Sequence, residues 1–209
     1  MHGRGPAIVL TSVAAAVACG IAAAWYIGLF TPDGRFSRVD AGRLLPPAAS
    51  LAALVPNGAR EPGDSRPRTF LGFGDGDTSS ECKWSSVPAG QDRPFRTVRI
   101  RAETRVAERR TSGVTRAEQS LAVWADAARN GGRPTTPVAV GDGGYARVDT
   151  MTWVIVFSRV VVYDVHVRFR ISNALVDVSA RTHTRPDDQT TALVRGLAAD
   201  TAKRLARLG

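Results

Sequence analysis

Lysine, cysteine and histidine are scarce in this chain, and each scarcity excludes something. Lysine occurs only at Lys83 and Lys203, so the net charge of +9 is carried almost wholly by arginine. The arginines are scattered and interleaved with Asp and Glu, which argues against nucleic acid as a partner. A basic surface field of this kind favours anionic neighbours instead. Cysteine occurs only at Cys19 and Cys82. Cys19 lies in an apolar run, so no disulfide is expected in the rest of the chain, and Cys82 reads as a small buried hydrophobe. Neither Gly-x-Ser-x-Gly nor His-Glu-x-x-His occurs, and no thiol or histidine stands near Cys82 in sequence. No catalytic, cofactor-binding or metal residue is therefore assigned, no cofactor is expected, and the chain does not read as an enzyme.

What the chain does have is one long apolar stretch. Ala7 to Phe30 carries no charged side chain. As a helix rising about 1.5 Å per residue, it would cross a hydrocarbon core roughly 30 Å thick. The expectation is a transmembrane signal-anchor at residues 7–30 in contact with membrane lipid. A polar tail at 1–6 precedes it, and a linker at 31–38 leads to a single domain at 39–209. Trp25 and Tyr26 suit the interfacial belt. Two other uses of the run stay open: cleavage as a signal peptide, or lipidation of Cys19 after Ala16-Val17-Ala18. Arg35, Arg38 and Arg43 outnumber Arg4, yet a long folded domain weakens the positive-inside rule, so charge leaves the orientation open.

Beyond the run the pattern is that of an α+β domain, an antiparallel sheet with packed helices. Pro46-Pro47 opens a short helix over Ala48 to Leu54. Pro56 to Ser80 is rich in turn formers and reads as a loop. Within it, Gly72 to Asp77 lacks the strand and helix of a dinucleotide site. A calcium loop begun at Asp75 would meet Ser86 where a glutamate is needed. Glu81 to Ser86 and Arg96 to Val106 alternate as half-buried strands, with Cys82 and Trp84 on one face of the first and Val98, Ile100 and Ala102 on one face of the second. A capping box at Thr115–Glu118 starts a helix that runs to about Asn130, with Leu121, Trp124, Ala125 and Ala128 on its stripe. A last helix spans Asp187 to Leu208.

The clearest hairpin turns at Ser172-Asn173. Counting outward pairs Ile171 with Ala174, Phe169 with Val176 and Val167 with Val178 on an apolar face. On the other face Arg168 meets Asp177, and His166 meets Ser179. That alternation predicts a solvated polar face, with His166 an exposed histidine and His183 in a turn. Trp153 to Phe157 and Val160 to Tyr163 add further strand, before or continuous with the hairpin.

Several motifs together resemble an actinobacterial cell-envelope family of lipoproteins and single-pass membrane proteins with no assigned activity. They are Val39-Asp40-Ala41-Gly42-Arg43-Leu44-Leu45, Cys82-Lys83-Trp84, Val140-Gly141-Asp142 and Ser172-Asn173-Ala174. Gly42 stands near the position of the family's first cysteine, so its disulfide to Cys82 is missing here. The resemblance implies a PsbP-like α/β sandwich on the outer side of the cell membrane and supplies no catalytic residues. The function it implies is a non-catalytic module that binds an envelope protein, an anionic polymer or a small ligand. An accessory sensor subunit and an envelope hydrolase are the alternatives.

Overall fold

A computed structural model describes residues 17–21, 31–69, 76–86, 96–155 and 158–209. Alternating side chains with strongly β-forming residues build one eight-stranded antiparallel sheet. Its strands are β1 (Ala59–Arg60), β2 (Arg68–Thr69), β3 (Thr78–Ser85), β4 (Thr97–Thr104), β5 (Thr136–Val138), β6 (Gly143–Ile155), β7 (Ser158–Ile171) and β8 (Ala174–Thr182). Their order across the sheet is β1-β3-β4-β8-β7-β6-β5, with β2 sharing the β3 edge. Besides the helical segment at 17–21, four helices accompany them among the described residues: α1 (Ala41–Leu44), α2 (Ala48–Ala52), α3 (Gly113–Asn130) and α4 (Asp188–Ala206).

The two faces of the sheet are covered differently. On one, Val98, Ile100, Val167, Phe169, Val176 and Val178 pack beneath α4, whose Val194, Leu197, Ala198 and Leu205 are buried with them. Leu44, Leu51 and Val55 close the same core. On the other face lies α3, which buries Ala117 and Leu121 against Leu175, with Tyr145 beside them. Each long helix starts on a side-chain cap: Ser112 accepts from the Thr115 amide at 3.1 Å, and Asp187 from the Thr190 amide at 2.7 Å. The cap of α3 is thus Ser112 rather than Thr115. Gly113 follows it because a Cβ there would come within 2.0 Å of the Asp33 carbonyl oxygen.

The hairpin pairs Ile171 with Ala174, Phe169 with Val176, Arg168 with Asp177 and His166 with Ser179. The strand before it is longer than the alternation suggests. β6 begins at Gly143 and pairs with β7 over its whole length, from Gly143↔Arg170 to Ile155↔Ser158.

Three expectations are corrected. The fold class of a transmembrane helix followed by an α+β domain does not hold: the chain forms a mostly antiparallel β-sheet domain with few helices. Among the described residues no helix is long and apolar enough to cross a membrane, which stands against the membrane, transmembrane-helix and signal-anchor reading. Of the apolar run only residues 17–21 are described, as a short exposed helical segment; the tail and the rest of 7–30 lie outside the described residues. Finally, residues 31–38 are not a free linker. Phe36 is buried, its amide donates to Asn173 Oδ1 at 2.9 Å, and its carbonyl accepts from Asn173 Nδ2 at 2.7 Å.

Candidate functional site

The face of the sheet under α3 carries charged side chains on four neighbouring strands. Cross-strand register sets Arg101, Asp177, Arg168 and Tyr145 in one row, with Arg99, Ser179, His166 and Arg147 in the next. Thr97, Arg181, Asp164 and Asp149 form a third. The sequence pattern assigned this face to solvent, and that reading is corrected. His166 is 7% exposed and Asp177 9%. The reason is α3, whose Trp124 stands edge-on to the His166 ring, with centroids 6.4 Å apart. The Arg147 guanidinium lies 3.9 Å over the same indole, a cation–π contact.

His166 sits between two carboxylates. Its Nδ1–H donates to Asp177 Oδ1 at 3.0 Å, and its Nε2 lies 3.6 Å from Asp149 Oδ2. Arg147 Nη2 holds the same Asp149 oxygen at 2.9 Å. Burial pushes the Asp177 carboxyl up, but the His166 hydrogen bond and the charges of His166, Arg168 and Arg99 outweigh it. Asp177 is therefore held below the usual carboxylate range. Burial acts on Arg168 in the opposite direction, pulling its pKa down, with Glu103 and Asp177 opposing. Arg168 Nη2 reaches Glu103 at 3.3 Å, while its Nε is buried without a hydrogen-bond partner.

The network continues through Glu103 to Arg105 at 2.8 Å, and from Arg105 to Asp77 at 2.9 Å. Arg116 of α3 also grips Asp77, at 2.7 Å. Burial raises the Asp77 carboxyl, yet the Val106 amide, Arg105 and Arg116 together bring it below its ordinary value. The sequence placed Asp77 in a turn and gave it no task; here it ties α3 to the end of β4.

Where α3 stops covering the face, a cleft of about 160 Å³ opens beside β3. Lys83, Arg99, Thr97 and Ser179 line it, together with Glu61 and the Arg181–Asp164 pair. Arg181 and Asp164 meet in two parallel contacts of 2.7 Å each and neutralise one another. Lys83 and Arg99 share the single carboxylate of Glu81, at 3.2 and 3.9 Å. The hydroxyl of Thr97, a residue only 8% exposed, is buried with no hydrogen-bond partner. A buried unpaired hydroxyl is costly, and a site that supplies its partner recovers that cost.

Cys82 is buried, and that burial pushes its thiol pKa up, as befits an inert core residue. Cys19 is exposed and His183 half-buried. Among the described residues no group of three or more His, Cys, Asp or Glu side chains is placed to hold a metal ion. No family model, curated protein or solved structure matches this chain.

Proposed function

We propose that the domain is a non-catalytic binding module whose cleft takes a small anionic group, a carboxylate or phosphate of the kind repeated along acidic envelope polymers. The observation that carries this reading is the orphaned Thr97 hydroxyl in a cleft where Lys83 and Arg99 converge. Three cationic side chains line the cleft against two acidic ones, and the +9 charge of the chain adds a field of the same sign. A volume near 160 Å³ suits one charged group and falls short of the roughly 300–1,000 Å³ of pockets that enclose larger ligands. The placement at the cell envelope rests on the motif resemblance alone. Support for a non-catalytic role comes from His166, whose two ring nitrogens both face carboxylates rather than a hydroxyl or thiol nucleophile.

Titration calorimetry with inorganic phosphate and with succinate tests the proposal. Binding should weaken at least about tenfold in Arg99→Ala and fall with added salt. Thr97→Val should weaken binding while leaving stability unchanged or raised, because it deletes an unpaired hydroxyl. Affinity indifferent to Arg99→Ala, or no binding of either anion, overturns it.

A further inference from the structure

Among the described residues the outer edge of β6 is long and unpaired, and its alternate residues Val148, Thr150, Thr152 and Val154 read the same in both directions. The ladder to β5 ends at Thr136↔Ala146, while β6 itself continues to Ile155. Which residues turn outward follows from the register. The Arg170 carbonyl accepts from the Asp142 amide at 2.8 Å on the β6 side, so even-numbered β7 residues bond toward β6. Their partners on β6 are the odd-numbered residues, as in Trp153↔Val160 and Met151↔Val162. The even-numbered residues Val148, Thr150, Thr152 and Val154 therefore direct their N–H and C=O groups away from the sheet. Among the described residues no backbone group pairs with them.

Sheet edges are ordinarily blunted by lysine, proline or a bulge. Thr150 to Ile155 has no charged residue and no proline, and β6 pairs with β7 residue for residue without a bulge. Val154 is 68% exposed and Val148 38%.

We propose that this edge pairs with the same edge of a second copy of the chain, antiparallel about a two-fold axis at Met151. That register sets Val148 opposite Val154 and Thr150 opposite Thr152, each pair occurring twice. All four outward-facing residues are then bonded, with about two main-chain hydrogen bonds for each pair. At the bonded positions like meets like, and threonine–threonine is a favourable cross-strand pair, while between them Asp149 falls opposite Trp153. A chain of net charge +9 repels its own copy, and the paired stretch, whose one charged residue is the acidic Asp149, is where two copies can approach closely. An isologous contact of this kind closes as a dimer instead of growing into a fibre.

The test is sedimentation equilibrium of the full chain beside Thr150→Pro. Proline is tolerated on an edge whose N–H faces away from the sheet, so Thr150→Pro should keep the near-UV circular dichroism of the parent while weakening dimerisation at least about tenfold. Association through residues 7–30 would not respond to this change. A second measurement places the axis. In a Cys19→Ser background, Met151→Cys should form a disulfide-linked dimer on oxidation, because a non-hydrogen-bonded antiparallel pair sets its Cα atoms about 4.5 Å apart. A monomer throughout the concentration range overturns the proposal. So does a Thr150→Pro dimer as tight as the parent's, or the absence of covalent dimer from Met151→Cys.

Discussion

His166 reaches diagonally across the last hairpin to Asp177, Nδ1 to Oδ1 at 3.0 Å, although its register partner is Ser179. Both side chains are buried beneath α3. The pair belongs to a charged layer between sheet and helix, and its loss is felt as buried charge.

Asp177→Ala should cost about 3–5 kcal/mol, because it leaves His166 and Arg168 without their shared carboxylate in a covered layer. Replacing both partners, as His166→Leu with Asp177→Leu, should cost less than the two single changes added together. Urea denaturation of the four proteins measures this; strict additivity would show the pair is not coupled.

Phe169 and Arg168 are neighbours on opposite faces of β7, and both should prove costly to truncate. Phe169 is fully buried, so Phe169→Ala should lose about 3–5 kcal/mol. Arg168, with 15% of its side chain exposed, faces Glu103 and Asp177, so Arg168→Ala should lose at least about 2 kcal/mol. A loss under about 1 kcal/mol for Arg168→Ala would return this face to solvent.

Asn173 does more than turn the chain. Its amide also donates to the Arg105 carbonyl at 2.8 Å, joining the hairpin tip to the end of β4 as well as to Phe36. Asn173→Ala orphans three backbone partners and should cost at least about 3 kcal/mol. Asn173→Gly, which keeps the turn but not the clamp, should cost nearly as much by thermal unfolding; a mild effect would reduce Asn173 to a turn former.

Acid should destabilise the domain through Asp77 and Asp177. Both carboxyls are lowered in the fold, so each contributes stability that is fully present above the unfolded value of about 3.9. That contribution is lost as pH falls through the lower folded values. From pH 7 to about 5 these two groups should leave stability level, with a decline starting below about pH 4. Asp77→Asn should flatten that decline, measured by urea midpoints across the range.

The final hairpin was legible because a two-residue turn and strict alternation admit only one register, and both long helices announced themselves by their apolar stripes, although α3 is capped by Ser112 and not by Thr115. The burial of the charged face was not. Arg168, His166 and Asp177 on alternate positions look like a solvent-facing row, and nothing local in the strand says that a helix lies over them. One signal was available: α3 carries Ala117, Leu121, Ala125 and Ala128 on a stripe that needs a sheet face, while α4 already occupies the apolar one. The start of β6 was hidden by Gly143-Gly144 and by Arg147 and Asp149, whose charges disguise its period. The cleft was not legible because Lys83, Arg99 and Ser179 come from three strands brought side by side only by long-range pairing.

The last strand of the chain to form, β8, lies between β4 and β7. Until Ala174 to Thr182 has left the ribosome, the nascent protein can hold only separate halves: β3 with β4, and the growing β6–β7 arm. Each half exposes a strand edge and an uncovered apolar face, the state in which chaperones engage new chains. Arrival of β8 joins the halves, brings Asp177 to His166, and lets α4 close the core. Truncation before Ala174 therefore removes the keystone from the sheet rather than trimming its border.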